Sequence, residues 1–86
     1  MYVIRGNRGH GEFTLSTEYR DREQANARLG QIASTHEAMI PKDHRGNTRR
    51  PEVGDVTLVR LYPGLLKIFY KGYEHAVTYW RSEYIV

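Results

Sequence analysis

Between Asp55 and Trp80 the chain holds three runs rich in β-branched and aromatic residues: Val56–Tyr62, Leu65–Tyr70 and Tyr73–Trp80. Pro63-Gly64 and Lys71-Gly72 separate them, and turn dipeptides between such runs predict an antiparallel meander. With a two-residue loop at each turn, Leu61 faces Leu66, Val59 faces Ile68 and Thr57 faces Tyr70. Across the second turn, Tyr70 faces Tyr73, Ile68 faces His75 and Leu66 faces Val77. Side chains alternate along a strand, so these mostly apolar residues share one face. The other face then carries Leu58, Arg60, Tyr62, Leu65, Lys67, Phe69, Lys71, Glu74, Ala76, Thr78 and Trp80. Beyond Trp80, Ser82-Glu83 is a candidate interruption, with Tyr84–Val86 as a last short strand or a continuation.

Upstream, Tyr2–Arg5 is a short strand candidate and Glu12–Ser16 alternates polar and apolar residues as a second. Three glycines between Gly6 and Gly11 predict the turn of a hairpin joining them. Residues 21–39 read as a helix, with Asp21 as N-cap and Gln24 completing a capping box. Ala25, Leu29, Ile32, Ala33, His36, Met39 and Ile40 fall on one helical face, which predicts the stripe that covers the sheet. Pro41 ends the helix. The opposite side carries small residues, Ala27, Gly30, Ser34 and Ala38. A glycine inside a helix costs about 1 kcal/mol relative to alanine, so this row is either a tolerated surface or a place of close approach, such as a homodimer contact through Ala27, Gly30 and Ser34. The expected fold is α+β: an antiparallel sheet of four to six strands in the order ββαβββ, with one amphipathic helix packed on one face.

Composition narrows the function classes. At 86 residues the chain is expected to form one small domain with a thin stability margin. It has no cysteine, hence no disulfide or thiolate metal site. No apolar run suits a membrane span, and the opening lacks the pattern of a secretory signal, so a cytoplasmic location is expected. Charge is concentrated. Lys42, Arg45, Arg49 and Arg50 outnumber Asp43 by three in a long polar loop, which accounts for the whole formal charge of +3.

Candidate chemistry is sparse. His36-Glu-Ala-Met-Ile40 begins like the helical zinc motif but has Ile40 where a second histidine is needed. No other metal spacing is present, and no cofactor is expected. Gly6–Gly11 is not a nucleotide-binding loop, because a strand rather than a helix follows it. Backbone N–H groups there, with Arg5 and Arg8, could still hold an anion. Bases and aromatics on the second sheet face have three readings: stacking platform for nucleic acid, protein interface, or a surface that the N-terminal hairpin covers.

In outline, Tyr2-Val-Ile4, Glu23-Gln-Ala25 running into Ile32-Ala-Ser34, and the hairpin ending at Lys71-Gly72 with Trp80 beyond resemble small phage-encoded anti-CRISPR proteins. The resemblance implies an inhibitory binding protein in a host cytosol, docked on a protein or ribonucleoprotein complex that handles nucleic acid. Lys42, Arg45, Arg49, Arg50, Arg60, Tyr62, Lys67, Phe69 and Trp80 are the candidate binding residues, with occlusion rather than catalysis as the mechanism. The alternative is a module that binds RNA or DNA directly through the same residues. A second alternative is a metal-independent ribonuclease using His10, Glu12, Arg8 and Arg5. Arg8-Gly-His-Gly11 resembles the Gly-Ser-His segment of small toxin ribonucleases of the dsRNA-binding-like fold, although their catalytic strand follows a helix.

Overall fold

The computed structural model describes residues 1–85. Its elements are β1 (Tyr2–Asn7), β2 (Glu12–Thr14), α1 (Arg22–Glu37), β3 (Val56–Tyr62), β4 (Leu65–Tyr70) and β5 (Val77–Glu83). This is the expected ββαβββ order and an α+β fold. The five strands form one antiparallel sheet in the order β2-β1-β5-β4-β3. The helix lies across one face.

Alternation explains the core. Ile4 on β1, Val56 on β3, Leu66 and Ile68 on β4 and Tyr79 on β5 point to the helix, which answers with Ala25, Leu29, Ile32 and Ala33; all nine are buried. Ile4, Leu29, Leu66 and Ile68 are the largest side chains fully removed from water. Gly6 belongs to this face for want of a side chain. A Cβ there would stand 2.7 Å from the Phe13 ring and 2.8 Å from the Tyr79 ring, which pack edge-on at 6.1 Å.

The first meander turn has the expected length. Tyr62 pairs with Leu65, Leu61 with Leu66 and Val59 with Ile68, and Gly64 takes the positive φ of 74° that a turn led by Pro63 demands. The expected pairing of Thr57 with Tyr70 does not occur. Thr57 is the extra residue of a β-bulge, its hydroxyl donating to the Phe69 carbonyl at 3.2 Å, so Val56 pairs with Tyr70 and turns inward. The second turn also departs from expectation. Lys71-Gly72 is not a two-residue loop: Ile68 pairs with Val77 and Leu66 with Tyr79, so residues 71–76 form the connection. The shift is of two residues, which preserves the face of every side chain. It brings Tyr79 rather than Val77 opposite Leu66.

Four further features differ from the expectations above. Asp21 occupies the N-cap position but makes no side-chain cap bond, so there is no capping box with Gln24. The helix stops at Glu37, leaving Met39 56% exposed outside the buried stripe. β2 ends at Thr14 instead of Ser16, because the Ser16 hydroxyl takes the Ile4 N–H at 2.9 Å and turns the chain away. Ser82-Glu83 does not interrupt β5, since these residues pair with Val3 and Tyr2. Tyr84 lies beyond the strand, its N–H donating to the Met1 carbonyl at 3.0 Å, and Val86 lies outside the described residues.

The place of β1 determines whether the second sheet face is covered. It pairs with β5 along six residues, so the N-terminal hairpin widens the sheet and does not fold over its second face. The Cα envelope is only 17 Å in its shortest dimension, about the depth of one sheet and one helix layer.

Candidate nucleic-acid interface

Three rows of side chains cross the open face, as the registers require. Tyr62, Leu65, Trp80, Arg5 and Thr14 form one. Arg60, Lys67, Thr78, Asn7 and Glu12 form the next, and Leu58 with Phe69 begins a third. Bases and aromatics thus stand on neighbouring rows, one strand spacing of about 4.8 Å from their cross-strand partners. Trp80, Phe69, Lys67 and Arg5 are half-buried, while Arg60, Tyr62 and Leu58 are exposed. Arg5 donates to Glu12 at 3.1 Å, which leaves Arg60 and Lys67 as the cations of the face without a carboxylate partner among the described residues. They sit directly opposite each other. Like charges placed so destabilise a sheet pair, a cost that an anion between them would relieve.

Five of the nine candidate residues, Arg60, Tyr62, Lys67, Phe69 and Trp80, therefore share one surface. The four loop bases do not join this array as a unit. Lys42 lines a groove on the helix side with Ala33, Ser34, Glu37, Ala38, Val59 and Leu61. Arg49 reaches Asp55 at 3.8 Å and the Arg50 carbonyl at 3.2 Å. Arg45 and Arg50 stand exposed. The loop itself is ordered by Asp43, whose carboxylate accepts the N–H groups of Arg45 and Asn47 at 2.8 and 3.0 Å. The small-residue row is divided as well. Ser34 and Ala38 line that groove, Ala27 does not, and Gly30 faces open space.

The residues grouped as a ribonuclease loop separate. Arg5 and Glu12 pair with each other on the open face, whereas Arg8 and His10 turn to a cleft at the end of the sheet. There they meet His36 from the helix, Tyr70 from β4, Tyr73 and His75 from the β4–β5 connection, and Tyr79 from β5, around about 460 Å³. Arg8 donates to the Tyr79 hydroxyl at 3.2 Å and lies 4.9 Å from the centre of the Phe13 ring. The bond to Tyr79 raises the Arg8 pKa above the ordinary guanidinium value. Burial, then neighbouring Tyr79, pushes the Tyr70 hydroxyl above its usual 10.0, opposed by Arg8. The expected register sets His75 opposite Ile68 on the face that His36 also meets; the shifted β4–β5 register instead frees residues 71–76 as a loop, from which His75 reaches the cleft with His10. Among the described residues no group of three His, Cys, Asp or Glu side chains is gathered closely enough to hold a metal ion. Nor is any helix long and apolar enough to cross a membrane.

Comparison with known proteins finds no matching family model, no similar curated protein and no similar solved structure.

Proposed function

We propose that this protein is a binding module whose working surface is the open sheet face and whose ligand is single-stranded nucleic acid. The observation that carries the reading is the uncovered array of Trp80, Phe69 and Tyr62 beside Arg60 and Lys67. Aromatic rings on a sheet stack bases without regard to sequence, and flanking cations neutralise the backbone between them. That no element among the described residues covers this face supports the same reading, because half-buried aromatics on a two-layer fold are left in contact with water.

Stacking is worth about 1–3 kcal/mol per base, so Trp80→Ala is expected to weaken binding of a short oligonucleotide by roughly 5- to 150-fold. Each phosphate neutralised on a single strand contributes about 0.7 to the slope of log K against log salt. Lys67→Gln should therefore flatten that slope by about 0.7. Fluorescence anisotropy of labelled RNA and DNA oligonucleotides measures both. An unchanged salt slope in Lys67→Gln, or full affinity in Trp80→Ala, removes this face as the site.

A second reading is favoured by the apolar members of the same surface, Leu58, Leu65 and Val3. On it, the face anchors a protein or ribonucleoprotein complex, in the manner of an inhibitor, and Arg45, Arg49 and Arg50 meet acidic groups of that partner. Affinity purification with and without nuclease separates the two. A partner retained after nuclease treatment, combined with no binding of naked oligonucleotides at low salt, selects the second.

A further inference from the structure

We infer that the cleft beside Arg8 is a binding site for a planar ring bearing a phosphate group, the chemistry of a nucleoside monophosphate. The site is distinct from the open face and does not depend on it. Its wall draws on two connections and a helix end that are remote in sequence: the β1–β2 loop supplies Arg8 and His10, the β4–β5 loop supplies Tyr73 and His75, and the last turn of α1 supplies His36. At about 460 Å³ it is within the range of small-ligand pockets.

Each part of the proposed ligand has a partner in this wall. Arg8 is held in place by the Tyr79 hydroxyl and the Phe13 ring, so little side-chain freedom remains to be lost when its guanidinium binds an anion. No carboxylate lines the cleft among the described residues; Glu74, 3.9 Å from His75, is exposed to solvent. Tyr70 and Tyr73 stand edge-on with centroids 6.2 Å apart, and offer aromatic surface to a ring. His36 Nδ1 lies 2.8 Å from the Ile32 carbonyl. A carbonyl only accepts, so Nδ1 carries the proton, and in the neutral ring Nε2 is left as an acceptor for a ligand hydroxyl or amino group. Tyr70, protonated at neutral pH as any phenol is, remains a donor. One fixed cation, aromatic surface and a mixed set of donors and acceptors together select a phosphate ester of a nitrogen ring over either a bare anion or an apolar molecule.

The histidines provide the test. His10, His36 and His75 line the cleft, while His44 lies in the loop after the helix and serves as internal control. In proton NMR of the whole chain, adenosine monophosphate added to about 10 mM, the weak end of measurable affinity, is expected to move the ring signals of His10, His36 and His75 and not those of His44. Adenosine and inorganic phosphate should each require at least about tenfold more, and exposed Arg8→Gln should weaken the nucleotide by about tenfold or more. Phe69→Ala should leave it unchanged, which separates this site from the sheet face. Oligonucleotides with and without a terminal phosphate distinguish the source: displacement of the nucleotide only by the phosphorylated strand assigns the cleft to strand ends, and no displacement assigns it to free nucleotides. No movement of the three signals, equal movement of all four, or an unaltered response in Arg8→Gln overturns the proposal.

Discussion

Gly6 and Gly30 have opposite surroundings, and the contrast predicts opposite responses to the same methyl group. At Gly6 an added Cβ meets two aromatic rings below 3.0 Å, and both rings are tied into the core. Gly6→Ala is expected to cost about 1–3 kcal/mol through overpacking. At Gly30 the space is open, and the backbone is helical. Gly30→Ala should stabilise by about 0.5–1 kcal/mol. Urea denaturation of the two variants checks both signs; a stabilising Gly6→Ala would refute the close packing of Phe13 on Tyr79. Tyr70 adds a dependence on pH. Its folded-state pKa is raised above 10.0, so above pH 10 the unfolded chain releases this proton before the folded one does. Stability from this group is complete below the unfolded value and is lost as pH rises toward the folded one. Tyr70→Phe should lessen the alkaline fall in melting temperature, once corrected for any change at neutral pH.

Among the elements, the helix depends on packing more than on its ends. With no side-chain cap at Asp21, Asp21→Ala lacks the usual capping loss of about 1 kcal/mol, whereas Leu29→Ala, fully buried, should lose about 2–5 kcal/mol. Thermal melts of the pair separate the two sources of stability, and equal losses would contradict this account. The 41–55 connection makes the converse case. Its arginines are exposed apart from the long pair of Arg49 with Asp55, and such pairs contribute about 0–1 kcal/mol. The triple variant Arg45→Glu, Arg49→Glu, Arg50→Glu should melt within a few degrees of the parent. Much of this level was legible in the sequence. Period-two alternation assigned the inward residues of β4, and Val59 on β3, correctly, and Ala25, Leu29, Ile32 and Ala33 were readable from helical spacing. The Thr57 bulge and the six-residue β4–β5 connection were not: the bulge adds a single residue that turns Val56 inward where strict alternation placed Thr57, and a slip of two at the connection keeps every residue on its face. The same slip hid the cleft, whose histidines and tyrosines come from separate segments with no common spacing.

On the scale of the whole molecule, the decisive contact is between the two ends of the sequence. Nothing local in Tyr2–Asn7 or Val77–Glu83 announces that they pair; the choice between a hairpin beside the sheet and one above it is made by which strand offers β1 a free edge. Because β5 lies between β1 and β4, the β1–β2 hairpin and the β3–β4 hairpin touch no common strand other than β5. A chain ending at Ala76 is expected to show no cooperative thermal transition and no protected core amides in hydrogen exchange, even though it retains most of the buried residues. This arrangement has a consequence for biosynthesis. A ribosome delivers four strands and the helix before the strand that unites them, so the nascent chain carries Leu29, Leu66 and Ile68 without a finished core until translation of this region is nearly over. Folding is then completed all at once and late, by a long-range closure of the kind that slows β-rich proteins. Frameshifts and premature stops falling at the beginning of β5 should accordingly be as damaging as those that fall within β1.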